Sequence, residues 1–283
     1  MAALPVAVFS AQKNKAKCGF DAEDFHRNET SDDTSSTDYK LKTIVEDKLF
    51  LKIDYLTVAS TMIGEVYQQL YENHATTIFN VFPRAANVLK SETTYSLKLV
   101  WFSQYIGFNR GLETIFAALE HLAELNIELH LVGFLSPEMK DFMQCKSPLS
   151  AVMSKITVHD PIPPDHLIEF ISKFDIGLAI ETGQPLNREI CLTNKIFSYI
   201  QAGLAVLASD TKAQIQLLSA HPEVGKLYDK NSINNLIEAL KAFYINPKHL
   251  LQCKLAALNL GQMHFNWETE SQKFLKLIAE TLA

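Results

Sequence analysis

The chain is predicted to fold as an α/β protein on a doubly wound parallel sheet, and three features of its 283 residues carry that expectation. From Leu97 onward, short apolar runs alternate with segments of helical period. Parallel strands need crossover helices, so this alternation implies a parallel sheet covered on both faces. The stretch Thr193–Asp210 contains one such unit complete: a polar, basic start, an amphipathic helix, Gly203 as a stop, and an apolar β-branched strand. Finally, 47% hydrophobic residues supply ample material for a core.

The segment Ala2–Ala11 is apolar, lacks the basic leader of a signal peptide, and is followed by Lys13, Lys15 and Lys17. It is predicted to be a helix packed on the protein. Asn28–Asp38 (NETSDDTSSTD) is polar and acidic, too poor in apolar groups to order itself, and is predicted to be a mobile loop. Leu41, Ile44, Val45, Lys48 and Leu49 give Leu41–Lys52 helical spacing. A strand at Tyr55–Ala59, a helix at Ser60–Tyr71 capped by Ser60 or Thr61, and a strand at Ile78–Phe82 closed by Pro83 follow. Asn87–Ser96 reads as a linker.

Beyond it, strands are predicted at Leu97–Phe102, Ile127–Val132, Ile156–Val158, Ile176–Ile180, Ala205–Ala208 and Gly225–Tyr228. Helices fill the gaps at Leu112–Leu125, Glu138–Gln144, Asp165–Ser172, Thr193–Ala202, Ala213–Ser219 and Ile233–Tyr244. Pro247–Leu260 and Trp267–Leu282 add two terminal helices. One complete doubly wound domain therefore runs from about residue 95 to 265.

A net charge of −6 argues against a nucleic-acid partner, which selects a basic face. Cys18, Cys145, Cys191 and Cys253 show no metal or redox spacing, and the nine histidines are scattered singly, so neither a metal site nor a cofactor is expected. No apolar run approaches the roughly 18 residues that span a bilayer, and a cytoplasmic placement is expected.

Ligands of open parallel sheets bind beyond the carboxyl ends of the strands, near the point where strand order reverses. The loops there supply the candidate residues. In Ser103–Glu113, Gly107 admits a close backbone approach, and Arg110, beside Asn109, opens a helix where its guanidinium can fork onto a diphosphate. Glu181–Ile190 is polar and longer than a structural connection needs, which makes Glu181 and Glu189 candidate ligand-binding residues; the alternative is a solvated loop with Arg188 paired to Glu189. Thr193, Asn194 and Lys195 stand at a helix start, where unpaired N–H groups and a positive dipole end favour an anion. A lysine adds unfavourably to that dipole, and a bound phosphate relieves the conflict. His159–Asp165 is a rigid, proline-rich turn into a helix that Asp165 is expected to cap. Upstream, Asp21, Glu23, Asp24 and His26 pack into six residues. They suit a general base or an acceptor-binding cluster, and equally an acid-rich helix start.

The segment from Thr193 to Val206 resembles the donor site of GT-B glycosyltransferases of the glycogen-synthase-like retaining group, where a P-x-K-x-x-E-Y-x-x-x-G-x-P-V pattern holds a nucleotide sugar. Arg110-Gly111 is similar to the Lys-Gly end of that family's G-R-x-x-x-x-K-G motif. Ile78–Pro83 is close to its N-V-x-P, and the acidic start resembles a D-x-x-D-like stretch that precedes a helical Glu, here Glu46, and a strand, here Asp54–Ser60. Two positions depart from the pattern: Ser198 stands for the ribose-binding Glu, and Tyr105 for the upstream Arg.

The resemblance implies a donor domain at 91–265, a partial acceptor domain at 1–90 that corresponds to only the final third of a full one, and a crossover helix at 266–283. It implies nucleotide-diphosphate sugar as donor, held by Gly107, Asn109, Arg110, Ile162, Glu181, Glu189, Thr193, Asn194, Lys195 and Ser198, with Ile162 at the base and Ser198 at the ribose. Asp21, Glu23, Asp24 and His26 take the catalytic role. Transfer is then bacterial in type, with retention and without metal, to an acceptor the sequence does not identify. Ser198, Tyr105 and the short amino-terminal region keep a non-catalytic nucleotide-sugar-binding subunit open, and the shared fold keeps a nucleotide-sugar epimerase open. The two strands before residue 90 leave an unpaired edge, so this region is expected to lean on the donor domain or to contact a partner chain or a membrane surface.

Overall fold

A computed structural model describes residues 1–85, 96–145 and 153–283; the linker predicted at Asn87–Ser96 lies, but for its last residue, outside the described residues. The chain opens with α1 (Leu4–Asn14), β1 (Gly19–Ala22), α2 (Thr37–Leu49), β2 (Tyr55–Val58), α3 (Thr61–Tyr71) and β3 (Ala75–Thr77). These strands form a parallel sheet in the order β1-β2-β3. One face packs on Leu4 and Val8 of α1, Ile63 and Tyr67 of α3 and the buried Phe50. The amino-terminal helix is thus seated on the protein, as its apolar composition predicts.

The second sheet is built from β4 (Leu97–Ile106), β5 (Ile127–Leu135), β6 (Ile156–His159), β7 (Ile176–Ala179), β8 (Ala205–Ser209) and β9 (Gly225–Tyr228). Its order is β6-β5-β4-β7-β8-β9, parallel throughout. The connecting helices are α4 (Leu112–His121), α5 (Pro137–Cys145), α6 (Pro164–Ile171), α7 (Leu186–Ile190), α8 (Asn194–Gln201), α9 (Lys212–Ala220) and α10 (Ile233–Ile245). They cover both faces, one core built around Trp101, Phe116 and Phe243 and the other around Phe197, Tyr199 and Val206. The six predicted strands and the doubly wound α/β class are thus present, and winding reverses between β4 and β7.

After α11 (Pro247–Met263), α12 (Trp267–Leu282) returns to the first sheet. Asn266 caps it through Thr269 N, Glu270 accepts from Phe79 N, and the Phe274 ring meets Tyr55 of β2 edge-on at 6.4 Å. Among the described residues, no helix is long and apolar enough to cross a membrane. Cys18, Cys191 and Cys253 are buried free thiols.

Several local expectations are corrected. The third strand of the first sheet falls at Ala75–Thr77 rather than Ile78–Phe82. Ile78 N still donates to Val58 O, but Phe79 then leaves to pack against Phe197 and Phe265 of the other core, which ends the pairing. The acidic segment at Cys18–His26 is strand β1 and a turn, so the reading as an acid-rich helix start fails. Nor is Asn28–Asp38 left untethered. Asp32 accepts from Asn28 Nδ2 and from Leu186 N, and Ser36 caps α2. Ser60 holds the capping position of α3 but spends its hydroxyl on Ile190 O, and Pro163, not Asp165, holds that position at α6.

On the second sheet, His130 Nδ1 and His159 Nε2 lie 3.0 Å apart, with Glu128 on the far nitrogen of His130. Burial holds His130 below the ordinary imidazole range, assisted by His159 and Lys98 against the opposing pull of Glu128. Burial does the same to His159. Folded-state values below the unfolded one near 6.5 mean that stability is present above that pH and is lost as pH falls through the folded values. Thermal melting between pH 8 and 5.5 should therefore show a falling Tm that His159→Gln makes shallower; an equal slope in both proteins would refute the linkage.

Candidate functional site

The reversal of strand order lies between β4 and β7, so the loops after these two strands flank the position where a doubly wound sheet binds its ligand. The first loop carries Gly107, Asn109, Arg110 and Gly111. β4 runs on to Ile106, four residues past its predicted end, because a register shift between Phe102 and Tyr105 lets pairing with β5 continue. Asn109 and Gly111 have positive φ, and a side chain at Gly111 would meet Ile180 O at 2.4 Å. Gly111 is therefore the glycine this turn requires. Gly107 has only Ser136 Oγ near, at 3.8 Å, leaving its backbone open. The Arg110 guanidinium is half-buried and donates to Ser103 Oγ at 3.2 Å.

Beyond β7 the arrangement departs from the expected one. Glu181 is 5% exposed, and its carboxylate accepts from Lys195 Nζ at 2.8 Å, Arg188 Nη1 at 3.0 Å and Thr193 Oγ1 at 3.4 Å. Burial pushes this carboxyl up, but Lys195 and Arg188 outweigh burial and hold it below the usual range. The conflict between Lys195 and the α8 dipole is thus relieved from inside the chain. Arg188 pairs with Glu181 and not with Glu189, whose carboxylate takes Lys230 Nζ at 3.4 Å and Lys212 N at 3.2 Å. Ser198 is fully buried, and its hydroxyl donates to Asn194 O at 2.8 Å within α8. A carboxylate in its place would be buried, so Ser198→Glu is expected to destabilise the fold. Ile162 is half-buried against the core that holds Tyr199.

Thr193 occupies the capping position of α8 and leaves the first amides of the helix to the cleft. There Thr193 and Asn194 line a cavity of about 200 Å³ together with Glu23 and Asp24 from the turn after β1. This juxtaposition joins two of the acidic residues to the helix start. Asp24 accepts from Asn187 Nδ2 at 2.7 Å, while Asn187 Oδ1 takes Phe25 N at 2.7 Å, so one amide of α7 clasps the turn after β1. Sequence reasoning missed α7, a five-residue helix inside what reads as a loop; its signal is Pro185 followed by Leu186 and Ile190 at helical spacing.

The other two acidic-cluster residues are spent differently. Asp21 accepts from Thr57 Oγ1 at 2.7 Å. His26 packs against Phe20 at 5.6 Å with Nδ1 at 3.3 Å from Glu29, and it lines neither this cavity nor the neighbouring one beside Tyr55. Burial by the surrounding walls, then Asp21 and Asp24, push the Glu23 carboxyl above its ordinary range against the opposing His26. Glu46, the helical Glu of the resemblance, is fully buried against Arg27.

No protein-family model matches the chain, and no curated protein sequence matches it. Solved structures do. Sucrose-phosphate synthase from Thermosynechococcus elongatus superposes with TM-score 0.74 at 15% identity over 97% of this chain and 71% of that one. HepE from Anabaena, solved with UDP, gives 0.77 at 13% over 99% and 76%. TarM gives 0.71 at 16% over 98% of this chain but 53% of that one, so the chain spans about half of TarM. The fold is thus that of the GT-B glycosyltransferases.

Proposed function

We propose that the chain is a glycosyltransferase that binds a nucleotide-diphosphate sugar at the carboxyl edge of the second sheet. The observation that carries the reading is the cavity in which the start of α8 faces Glu23 and Asp24 across the two sheets. The likeness to sugar-transferring enzymes, among them HepE with UDP and glucose bound, supports it. Arg110 and the free amides at Thr193–Lys195 take the diphosphate, an arrangement that stabilises the charge developing on a leaving group. Lys195 acts through Glu181, which fixes the helix start. Glu23, with its raised carboxyl, is the base, and Asp24 is held beside it by Asn187.

The step is then a substitution at the anomeric carbon. The acceptor oxygen bonds that carbon, the bond from carbon to diphosphate oxygen breaks with its electron pair staying on the diphosphate, and the hydroxyl proton passes to Glu23. Retention, which requires the acceptor oxygen to enter on the face that the diphosphate leaves, and independence from metal enter this proposal through the family resemblance. Contact of the amino-terminal region with a partner chain or membrane surface rests instead on its small sheet, and the exposed Val6 and Phe9 on α1 support it.

Calorimetry with UDP and with GDP tests the donor site. Arg110→Ala should weaken the bound nucleotide by about 1.5–3 kcal/mol, the range for a hydrogen bond to a charged group. Absence of binding by the wild-type chain, or equal affinity in the variant, overturns the assignment. Glu23→Gln should lower turnover on a nucleotide sugar by about 10²-fold or more while nucleotide affinity stays.

A further inference from the structure

A second cavity, about 390 Å³, lies between the open face of β1 and β2 and the helix α12, and is lined by Asp21, Glu23, Tyr55, Asn80, Trp267 and Phe274 among others. We propose that this cavity binds the acceptor, and that the acceptor is an uncharged or cationic sugar ring rather than a phosphorylated one. The transfer role rests on the function proposed above; the binding itself does not.

Its volume falls in the range of small-molecule sites. Its charged lining groups are two carboxylates, its neutral polar ones the Asn80 amide, the Tyr55 and Thr57 hydroxyls and the Trp267 indole, and no lysine or arginine lines it among the described residues. Ionised carboxylates only accept, so the site takes hydroxyl or ammonium donors and repels an anion. Asp21 is oriented by the Thr57 hydroxyl, whereas Glu23 has neither a hydrogen bond nor an ion pair among the described residues and stands ready for a ligand.

The remaining walls are aromatic. Tyr55 and Phe274 meet edge-on with ring planes 70° apart, and Trp267 is 43% exposed beside them. Aromatic faces offer apolar area next to polar edges, which complements a ring carrying C–H on its faces and hydroxyls on its rim. The wall is preformed: a Cβ at Gly19 would fall 1.9 Å from a Tyr55 ring atom, so the tyrosine lies flat on a position only glycine allows.

The placement also gives a direction. Glu23, Ala59 and Asn80 line both this cavity and the one that holds Thr193 and Asn194. A sugar seated against Tyr55 and Trp267 therefore presents a hydroxyl at Glu23, on the side of the donor.

Saturation-transfer NMR on the full chain tests this, with glucose, glucosamine, maltose and glucose 6-phosphate as probes. At least one of the first three should show saturable transfer, and Phe274→Ala should weaken it about tenfold or more while UDP affinity, measured by calorimetry, stays unchanged. Glucose 6-phosphate should show none. No transfer to any of the first three, equal binding of the phosphorylated sugar, or undiminished binding in Phe274→Ala with UDP affinity intact would overturn the assignment. Failure of the saccharides with UDP still bound leaves the nucleotide-sugar reading standing. Saccharide binding without UDP binding supports the cavity and overturns that reading instead.

Discussion

Lys195→Ala is expected to cost about 3 kcal/mol of folding stability. Lys195 and Glu181 form a buried pair at 2.8 Å, with 11% and 5% of their side chains exposed. Removing one partner of such a pair costs about 3–5 kcal/mol, because the other charge stays buried without compensation. Arg188 remains on Glu181 at 3.0 Å, which places the loss at the lower end. The double variant with Glu181→Ala should recover much of it, since the stranded charge is gone.

The acid side of the stability profile should change as well. A carboxyl held below its unfolded value contributes stability above about pH 4.3, and that stability is lost as pH falls through the folded value. Without Lys195 the Glu181 carboxyl rises, and this acid-side dependence shrinks. Denaturant midpoints at pH 7 and pH 4 would check both parts. A loss under 1 kcal/mol at pH 7 would mean that Lys195 contributes little to the site's order.

The second large effect is expected at Glu46→Ala. Glu46 is wholly buried on α2, where its carboxylate takes Arg27 Nε at 2.6 Å and Tyr67 hydroxyl at 3.1 Å. Arg27, itself 8% exposed, also reaches the hydroxyl of Tyr71. The variant strands the guanidinium and unties α2 from α3, so about 3–5 kcal/mol should be lost. The damage should fall on the first sheet, because the network joins α2, α3 and the turn after β1, and Tyr67 packs in the core of that sheet. Hydrogen exchange would show it as lost protection of β1 to β3 with β4 to β9 unchanged; uniform loss across both sheets would show that the chain unfolds as one unit.

Much of the architecture was legible from local pattern. The alternation from Leu97 onward located all six strands of the second sheet, since an apolar run bounded by turn residues records burial on both faces. Gly203, at φ 69°, ends α8 where the sequence places its stop. Thr193 and Asn194 stand in the cleft as the helix-start argument requires, because unpaired amides depend only on where the helix begins. The short strand Ala75–Thr77 was missed because three polar or small residues carry no hydrophobic period. The helix α7 was missed because its purpose is contact with residues 24, 25 and 32, more than 150 positions away.

By itself the sequence determined the α/β class and the positions of most helices and strands, and it singled out the loops proposed to hold a ligand. Strand order, and with it the reversal between β4 and β7, was decided only in the tertiary structure. So were the pairing of Lys195 with Glu181, the burial of Ser198, and the absence of His26 from the two cavities that Glu23 lines. The physical reason is one of range. Propensity, period and caps act over a few residues, whereas the partner of a buried charge is whichever opposite charge the packing brings within hydrogen-bond distance. For Lys195 that partner is fourteen positions back, at the end of a different strand, and it occupies the place that the helix dipole alone would assign to a phosphate.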